Sequence, residues 1–315
     1  MTKPTPSGTV VVLSGGTSSE REISLQSGSA VAGALRNRGH QVAEVDPATT
    51  PLHSLPWNDV RLAFLALHGA AGEDGTIQAQ LESWGIPYTG SGPRESHLAF
   101  SKTATKQLLV QVGIPTPPWQ LIDQTQSAAR LLELAEMLGY PLVVKPDQQG
   151  SSLGVTLVKT ADSLIPACER AFSLGPVALL EQAVLGEEWT VGLLDDHPLP
   201  PIRISGFGKL FDFHAKYHSE TVQYLFDSDQ GGMSDLVAGV ARAACLAVGT
   251  RGVARVDLMV DHVGRPFVLE INTIPGFTDH SLVPKAAARA GLSFDDLCQW
   301  CLDAAMRHFA QRRAA

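Results

Sequence analysis

The chain predicts a mixed α/β protein of two or three domains that opens on a doubly wound parallel unit and continues as α+β. Near its start a buried apolar run, a glycine turn, a helical stretch and a second strand follow in the order of a βαβ unit. From Ser101 the regular alternation gives way to helices mixed with hairpin-like strand pairs. At 315 residues the chain also exceeds what a single hydrophobic core usually organises.

TVVVLS (residues 9–14) has the length and apolar continuity of a buried strand, and GGTSS makes the turn after it. EREISLQSGSAVAGALRNRG carries helical periodicity, with Ser18 or Ser19 as the expected cap and Gly39 as the stop. HQVAEVD supplies the next strand, and RLAFLALHG another that is expected to end at His68. This unit closes near Ser91 to Arg94. Beyond it SKTATKQLLVQVG reads as a helix, IPTPPW as a proline-rich crossing and SAARLLELAEMLG as a long helix. YPLVVKP and GVTLVK then read as strands around a Gly/Ser turn. After LLEQAVLGEEWTVGLL, strands and helices alternate down to two terminal amphipathic helices. AKYHSETVQYLFDSDQGG is polar and long enough to be a functional lid. The expected division is 1–96, 97–186 and 187–315, with the lid at about 209–232.

Hydrophobic residues make up 44% of the chain, and the net charge is −8 without any Lys/Arg run. Neither nucleic acid nor an anionic membrane is the partner this implies. The apolar run after MTKPTPSG is too short for a secretory signal or a membrane span, which makes the cytoplasm the expected compartment. Cys168, Cys245, Cys298 and Cys301 are too scattered for a disulfide framework. The CxxC they include lies in a helical pattern with no second metal-spaced pair, so both cysteines read as core.

Glu270 and Asn272 stand two apart in LEINTIPGFTDHS and therefore share one face if this is a strand. Upstream, VARVDLMV leads into turn chemistry at DHVGRP. Pairing the two antiparallel about Val263 and Gly264 sets Asp257 opposite Glu270 and Arg255 opposite Asn272. Oxygen donors without His or Cys suit Mg²⁺ or Mn²⁺ rather than zinc, and Mg²⁺ held by few carboxylates commonly shares its shell with nucleotide phosphates. A surface salt-bridge ladder would use the same residues.

Lys145 ends the apolar run PLVVK, and GSSLG, with Ser151 and Ser152, follows. Such a segment can fold over polyphosphate, although a plain hairpin turn would look the same and no GxxxxGK[ST] pattern is present. Glu20 stands in the first turn after GGTSS, where a helix dipole favours a carboxylate whatever its role. His68 falls at a strand's carboxyl end, where open α/β sheets bind ligands, or is an ordinary structural histidine.

LSGGTSSEREISLQSG, LALHGAAGEDG, YTGSG, VVKPDQQGSSLGV, AKY, RVDLMV and EINTIPGFTDHSLVP occur in one order along the chain. In that order and spacing the chain resembles the D-alanine:D-alanine ligases of the ATP-grasp superfamily over nearly its whole length. The resemblance implies a three-domain ATP-grasp: an N-terminal Rossmann-like substrate domain, then central and C-terminal subdomains with ATP between them. It implies phosphate contacts from Lys102, Lys145 and Lys216, adenine contacts from Glu181 and Val184, and a ribose contact from Glu188. Ser151, Ser152 and Met259 would also border ATP. Asp257, Glu270 and Asn272 would hold two Mg²⁺ or Mn²⁺.

Glu20, Ser151 and Tyr217 resemble the family's hydrogen-bonded triad, which orients the first D-alanine and fastens the lid. His68 would lie near that D-alanine, with Ser281 and Leu282 beside the second. The implied reaction joins two D-alanines through an acyl phosphate for peptidoglycan precursor synthesis, with Arg255 and the Gly276 N–H stabilising the tetrahedral oxyanion. A homodimer is also implied. Two departures stand out: Ser101 replaces an Asp common in the family, and the lid's YLFDSDQGG lacks the usual Pro-Ala. Tyr217 fits dipeptide formation, whereas the D-lactate ligases resemble Phe there. The alternatives are a D-alanine:D-lactate or D-serine ligase, another carboxylate–amine ligase of this superfamily, or a non-catalytic nucleotide-binding module on the same fold.

Overall fold

The computed structural model describes residues 8–205, 222–226, 232–278 and 281–314. Its N-terminal unit is built on β1 (Thr9–Leu13), a run of valine and leucine with parallel neighbours on both sides. β2 (Val42–Val45) and β3 (Val60–Leu65) flank it in the order β2-β1-β3. α1 (Arg21–Asn37) covers this sheet with Ser24, Ser27, Val31 and Leu35, a helical spacing that makes one buried stripe. Gly28 in that stripe is obligatory, because a Cβ there would stand 2.3 Å from Ser14 Oγ.

Two local expectations are corrected. Neither Ser18 nor Ser19 caps α1; the cap position is Glu20, which makes no side-chain cap bond. The Ser18 hydroxyl instead accepts the Glu20 N–H at 3.2 Å and donates to His68 O at 2.6 Å, tying the turn to the next loop. β3 ends at Leu65, not His68. After Ala66 donates to Leu13 O (2.9 Å), β1 has no further residue to pair with, and His68 enters the loop beyond the sheet. The turn after β1 is fixed by Asp46, which accepts the Gly16 N–H at 2.9 Å and pairs with Arg21 at 2.5 Å. Hydrogen bonding from Arg21 holds the Asp46 carboxyl down to about 2.

α2 (Thr76–Ser83) is followed by α3 (Pro93–Phe100), a helix absent from the sequence reading although Pro93 after Gly92 is a recognised start signal. α4 (Lys102–Gln111) begins at Ser101, whose hydroxyl accepts the Ala104 N–H. An antiparallel sheet follows in the order β4-β7-β5-β6, from β4 (Trp119–Asp123), β5 (Leu142–Pro146), β6 (Thr156–Val158) and β7 (Val177–Gln182). α5 (Ala128–Leu138) and α6 (Leu164–Phe172) bury Leu131, Leu134, Leu164 and Cys168 against Leu142, Val144 and Leu180 of that sheet.

The largest sheet runs β11-β10-β8-β12-β13, with β9 paired beside β8, all antiparallel. Its members are β8 (Gly186–Leu194), β9 (His197–Pro198), β10 (Ile202–Ser205), β11 (Gln223–Leu225), β12 (Val253–Asp261) and β13 (Pro266–Asn272). β11 falls inside the segment read as a loop; most of that segment, with Lys216 and Tyr217, lies outside the described residues. α7 (Met233–Val248) packs on this sheet together with Ala99 of α3 and Leu109 of α4. α8 (Leu282–Arg289) and α9 (Phe294–Ala314) return to the N-terminal sheet, where Leu297, Cys298, Cys301 and Leu302 meet Val10, Val12 and Leu35. The CxxC is therefore core, with both thiols free.

Candidate active site

The hairpin of β12 and β13 carries the centre of the site. Asp257 pairs with Glu270 and Arg255 with Asn272, the partners the sequence reading expects. The register is not that of a simple hairpin, however: Leu258 pairs with Val268, so Leu269 is an extra residue bulged out of β13. Without that bulge the pairing seen near the turn would carry Asp257 opposite Leu269, and Glu270 would face away. Alternating burial along β13 breaks at the same point, with Leu269 half-buried like Glu270 rather than buried like Ile271.

Asp257 is 6% exposed. It accepts Arg255 Nε at 2.9 Å and Nη2 at 2.8 Å, a bidentate fork, and Thr190 Oγ1 of β8 at 2.7 Å. Arg255 and Asp257 do form an ion pair, but it faces inward, and the surface-ladder reading is set aside. Glu270 Oε2 stands 3.2 Å from Lys102 Nζ, at the start of α4. Asn272 Oδ1 accepts the Ile274 N–H at 2.9 Å, stiffening the turn into Gly276. Two carboxylates and an amide oxygen on one wall form a donor set that fits a hard divalent cation, and Asp257 would share its oxygens with Arg255. Among the described residues no group of three or more His, Cys, Asp or Glu offers another such place.

The loop after β5 faces this hairpin across a cavity of about 430 Å³. Ser151 and Ser152 both adopt left-handed backbone, φ +50° and +55°, which L-residues take up at a cost. Successive N–H groups in such turns make an anion-binding concavity. Ser151 Oγ donates to Glu20 Oε1 from the N-terminal unit. Gly150 permits that approach, since a Cβ there would lie 2.4 Å from Glu20 Oε2. Asp147, also in this loop, accepts Ser101 Oγ at 2.9 Å and the Thr103 N–H at 2.7 Å. The carboxylate at the start of α4 is thus supplied from the loop after β5, and the departure at Ser101 leaves Lys102 held in place. Lys102 Nζ also donates to Gln149 O at 2.7 Å.

Lys145 and Glu181 are buried and are not among the residues that line this cavity, with Lys145 Nζ donating to Glu181 Oε1 at 2.9 Å. The flanking lysines keep the Glu181 carboxyl below its usual range in spite of burial. Glu188 lines the cavity from β8 opposite Met259 of β12, while Val184 is half-buried in the β7–β8 connection. His68 is 5% exposed, with Nε2 3.1 Å from Ser27 Oγ and Nδ1 3.1 Å from Ile274 O. Buried Glu73 accepts the Gly69 N–H at 3.0 Å and lies 3.9 Å from His68 Nδ1; burial pushes its carboxyl up. Gly276, Ser281 and Leu282 close the far wall, with Ser281 Oγ accepting the Thr278 N–H at 3.0 Å.

The cavity brings together Glu20, His68, Lys102, Ser151, Glu188, Arg255, Asp257, Glu270, Asn272, Gly276, Ser281 and Leu282. Glu73, Lys106, Asp147 and Thr190 were not singled out by sequence reasoning. Lys106 had a legible signal, one helical turn beyond Lys102, and Glu73 lies in the same loop as His68; Asp147 and Thr190 become meaningful only through contacts distant in sequence.

An antiparallel β4–β7 sheet and a larger β8–β13 sheet, closing on a cavity lined by Lys102, Arg255, Glu188, Asp257 and Glu270, make up the ATP-grasp architecture. Solved structures share it. A D-alanine–D-alanine ligase from Bacillus anthracis matches with a TM-score of 0.86 and 33% identity over 97% of this chain and 100% of that one. A structure of the Bacillus anthracis enzyme complexed with ATP gives 0.84 and 30% over the same shares. The models for the D-ala D-ala ligase N-terminus and C-terminus match residues 52–91 and 108–303. Curated D-alanine–D-alanine ligases from Chromohalobacter salexigens and Halorhodospira halophila are each 44% identical, over 94% and 95% of this chain and 94% and 97% of theirs. The chain belongs to the D-alanine–D-alanine ligase family.

Proposed function

We propose that the protein joins two D-alanines into D-alanyl-D-alanine, cleaving ATP to ADP and phosphate through an acyl phosphate. The observation that carries this reading is the Glu20–Ser151 hydrogen bond, which closes the N-terminal unit over a cavity walled by Lys102, Arg255, Asp257 and Glu270. A carboxylate oxygen of the first D-alanine attacks the γ-phosphorus in line and the bond to ADP breaks. Lys102, Lys145 and Lys216 offset the charge on the phosphoryl oxygens. The Ser151–Ser152 turn offers N–H groups to the same oxygens. Mg²⁺ or Mn²⁺ on Asp257, Glu270 and Asn272 would supply further positive charge to the phosphates.

Glu20, Ser151 and Tyr217 orient the first D-alanine, with His68 beside it. The amine of the second D-alanine, bordered by Ser281 and Leu282 and having lost a proton, attacks the acyl carbonyl carbon. Arg255 and the Gly276 N–H stabilise the oxyanion, after which the C–O bond breaks and phosphate leaves. Arg255 is preorganised for this by its bidentate grip on Asp257. Adenine would rest by Glu181 and Val184, and the ribose by Glu188, with Met259 also bordering ATP. Because water would hydrolyse the acyl phosphate, the reading requires the segment at about 209–232 to close over the cavity. Division into units at 1–96, 97–186 and 187–315, a homodimer, a cytoplasmic location and a role in peptidoglycan precursor synthesis belong to the same proposal. No helix among the described residues is long and apolar enough to cross a membrane.

The deciding experiment measures ADP release with D-alanine alone and with D-alanine plus D-lactate, D-serine or L-alanine, identifying each product by mass. Release with D-alanine alone and a dialanine product is expected. ADP formed only when a second, different acid is present would sink the assignment.

A further inference from the structure

Lys106 is a buried cation with no part in the steps above. It lies one turn after Lys102 on α4, so both side chains leave the same helix face. Its exposure is 0%, and an unpaired ammonium in such a place would be costly. Its Nζ stands 2.5 Å from Glu181 Oε2 and donates to Thr116 Oγ1 at 2.5 Å. The other oxygen of the same carboxylate accepts from Lys145. One buried carboxylate thus serves two ammonium groups.

An ammonium can only donate, so Thr116 must accept from Lys106 and pass its own proton onward. It does so to Val268 O at 2.8 Å, and the Val268 N–H returns to Pro115 O at 2.9 Å. Val268 precedes the bulge in β13, and just past the bulge Glu270 reaches Lys102. The contacts form a closed circuit from α4 through the crossing before β4 and β13 back to α4, with Glu181 of β7 joined to it at Lys106.

Charge decides what the circuit does. With Lys106 present, the cluster of Lys106, Lys145 and Glu181 keeps one net positive charge. Without it, Glu181 neutralises Lys145. We infer that Lys106 is a positioning residue of the nucleotide site: it takes up the Glu181 charge, leaving that of Lys145 for an ATP phosphate, and through Thr116 it ties β13 to the adenine side. The inference rests on the ligase reading, in which Lys145 meets ATP.

The test varies ATP and D-alanine separately in wild type, Lys106→Met, Lys106→Gln, Glu181→Gln and the Lys106→Met/Glu181→Gln double variant. Loss of a charge-assisted contact predicts an ATP KM raised about tenfold in both Lys106 variants. The D-alanine KM should stay within about twofold. In the Glu181→Gln background the same Lys106→Met change should cost far less, because no charge is left to steal Lys145. An unchanged ATP KM in Lys106→Gln overturns the inference, as does an equal loss with and without Glu181. Should Lys106→Met not fold, Lys106→Gln, which can still donate to Thr116, decides. The rise in melting temperature given by ADP with Mg²⁺ reads the same order without turnover. If wild type released no ADP with D-alanine, the ligase reading would fail while this binding series still judged Lys106.

Discussion

Ser151 donates its hydroxyl to the carboxylate of Glu20, joining the loop after β5 to the start of α1. The bond crosses between separately built sheets and ties the N-terminal unit to the loop after β5. Ser151→Ala and Glu20→Gln should each lower kcat/KM by about ten- to a hundredfold, the range for a hydrogen bond to a charged group. Because Ser151→Ala removes the contact and Glu20→Gln strips it of its charge, the double variant should lose little more than Ser151→Ala alone. Losses that simply multiply would mean that the two residues act independently.

Gly150 has a different liability. Since a Cβ would meet Glu20 Oε2 at 2.4 Å, Gly150→Ala should push the carboxylate away and cost at least about tenfold in kcat/KM, as misplaced catalytic geometry does. Thermal unfolding should change far less than turnover, because Glu20 can retreat toward the cavity. Full activity in this variant would disprove the close approach.

Glu270→Gln and Arg255→Ala probe the hairpin itself. Each should reduce turnover by about a hundred- to a thousandfold, the scale of removing one charge-stabilising group. In Arg255→Ala the Asp257 carboxylate also loses its fork, so release of inorganic phosphate without dipeptide is the side reaction to look for. Retained turnover in both variants would contradict the roles given to β12 and β13.

Acid should loosen the turn that leads to Glu20. Arg21 holds Asp46 down to about 2, well below the ordinary carboxyl value. The stabilisation is therefore complete above about pH 4 to 5 and is lost as pH falls through 2. Arg21 is 37% exposed, so solvent screening keeps the contribution small. Denaturant unfolding of wild type and Asp46→Asn should differ slightly at pH 6 and converge near pH 2. A gap that widened on acidification would refute the linkage.

Gly186→Ala tests the other end of the sheet. Its Cβ would stand 1.9 Å from Val260 O of the paired strand, a backbone atom with nowhere to go. The variant should lose about 2 kcal/mol or more in unfolding free energy, as forced overpacking does.

Much of this was legible in the sequence where a local rule sufficed. Period-two spacing put Glu270 and Asn272 on one wall, and turn chemistry placed Asp257 across from Glu270. The bulge at Leu269, which makes that pairing possible, left no mark of its own because Leu suits a regular strand equally well. Ser18 has the composition of a helix cap, yet its hydroxyl is drawn to His68 O by a loop far along the chain. Asp147, in the loop after β5, brings a carboxylate to Ser101 and the Thr103 N–H. No reading of residues in order can find such a contact. Lys106 was visible as a lysine but not as a buried one.

The extra residue in β13 also bears on solubility. β13 is the outermost strand of its sheet, and a flat outer strand is a template for a second chain to pair with. Here the bulge kinks the rim, and the Pro115–Thr116 crossing occupies both the N–H and the C=O of Val268. On the strand that carries Glu270 and Asn272, the backbone groups just before the bulge are thereby closed to a second chain.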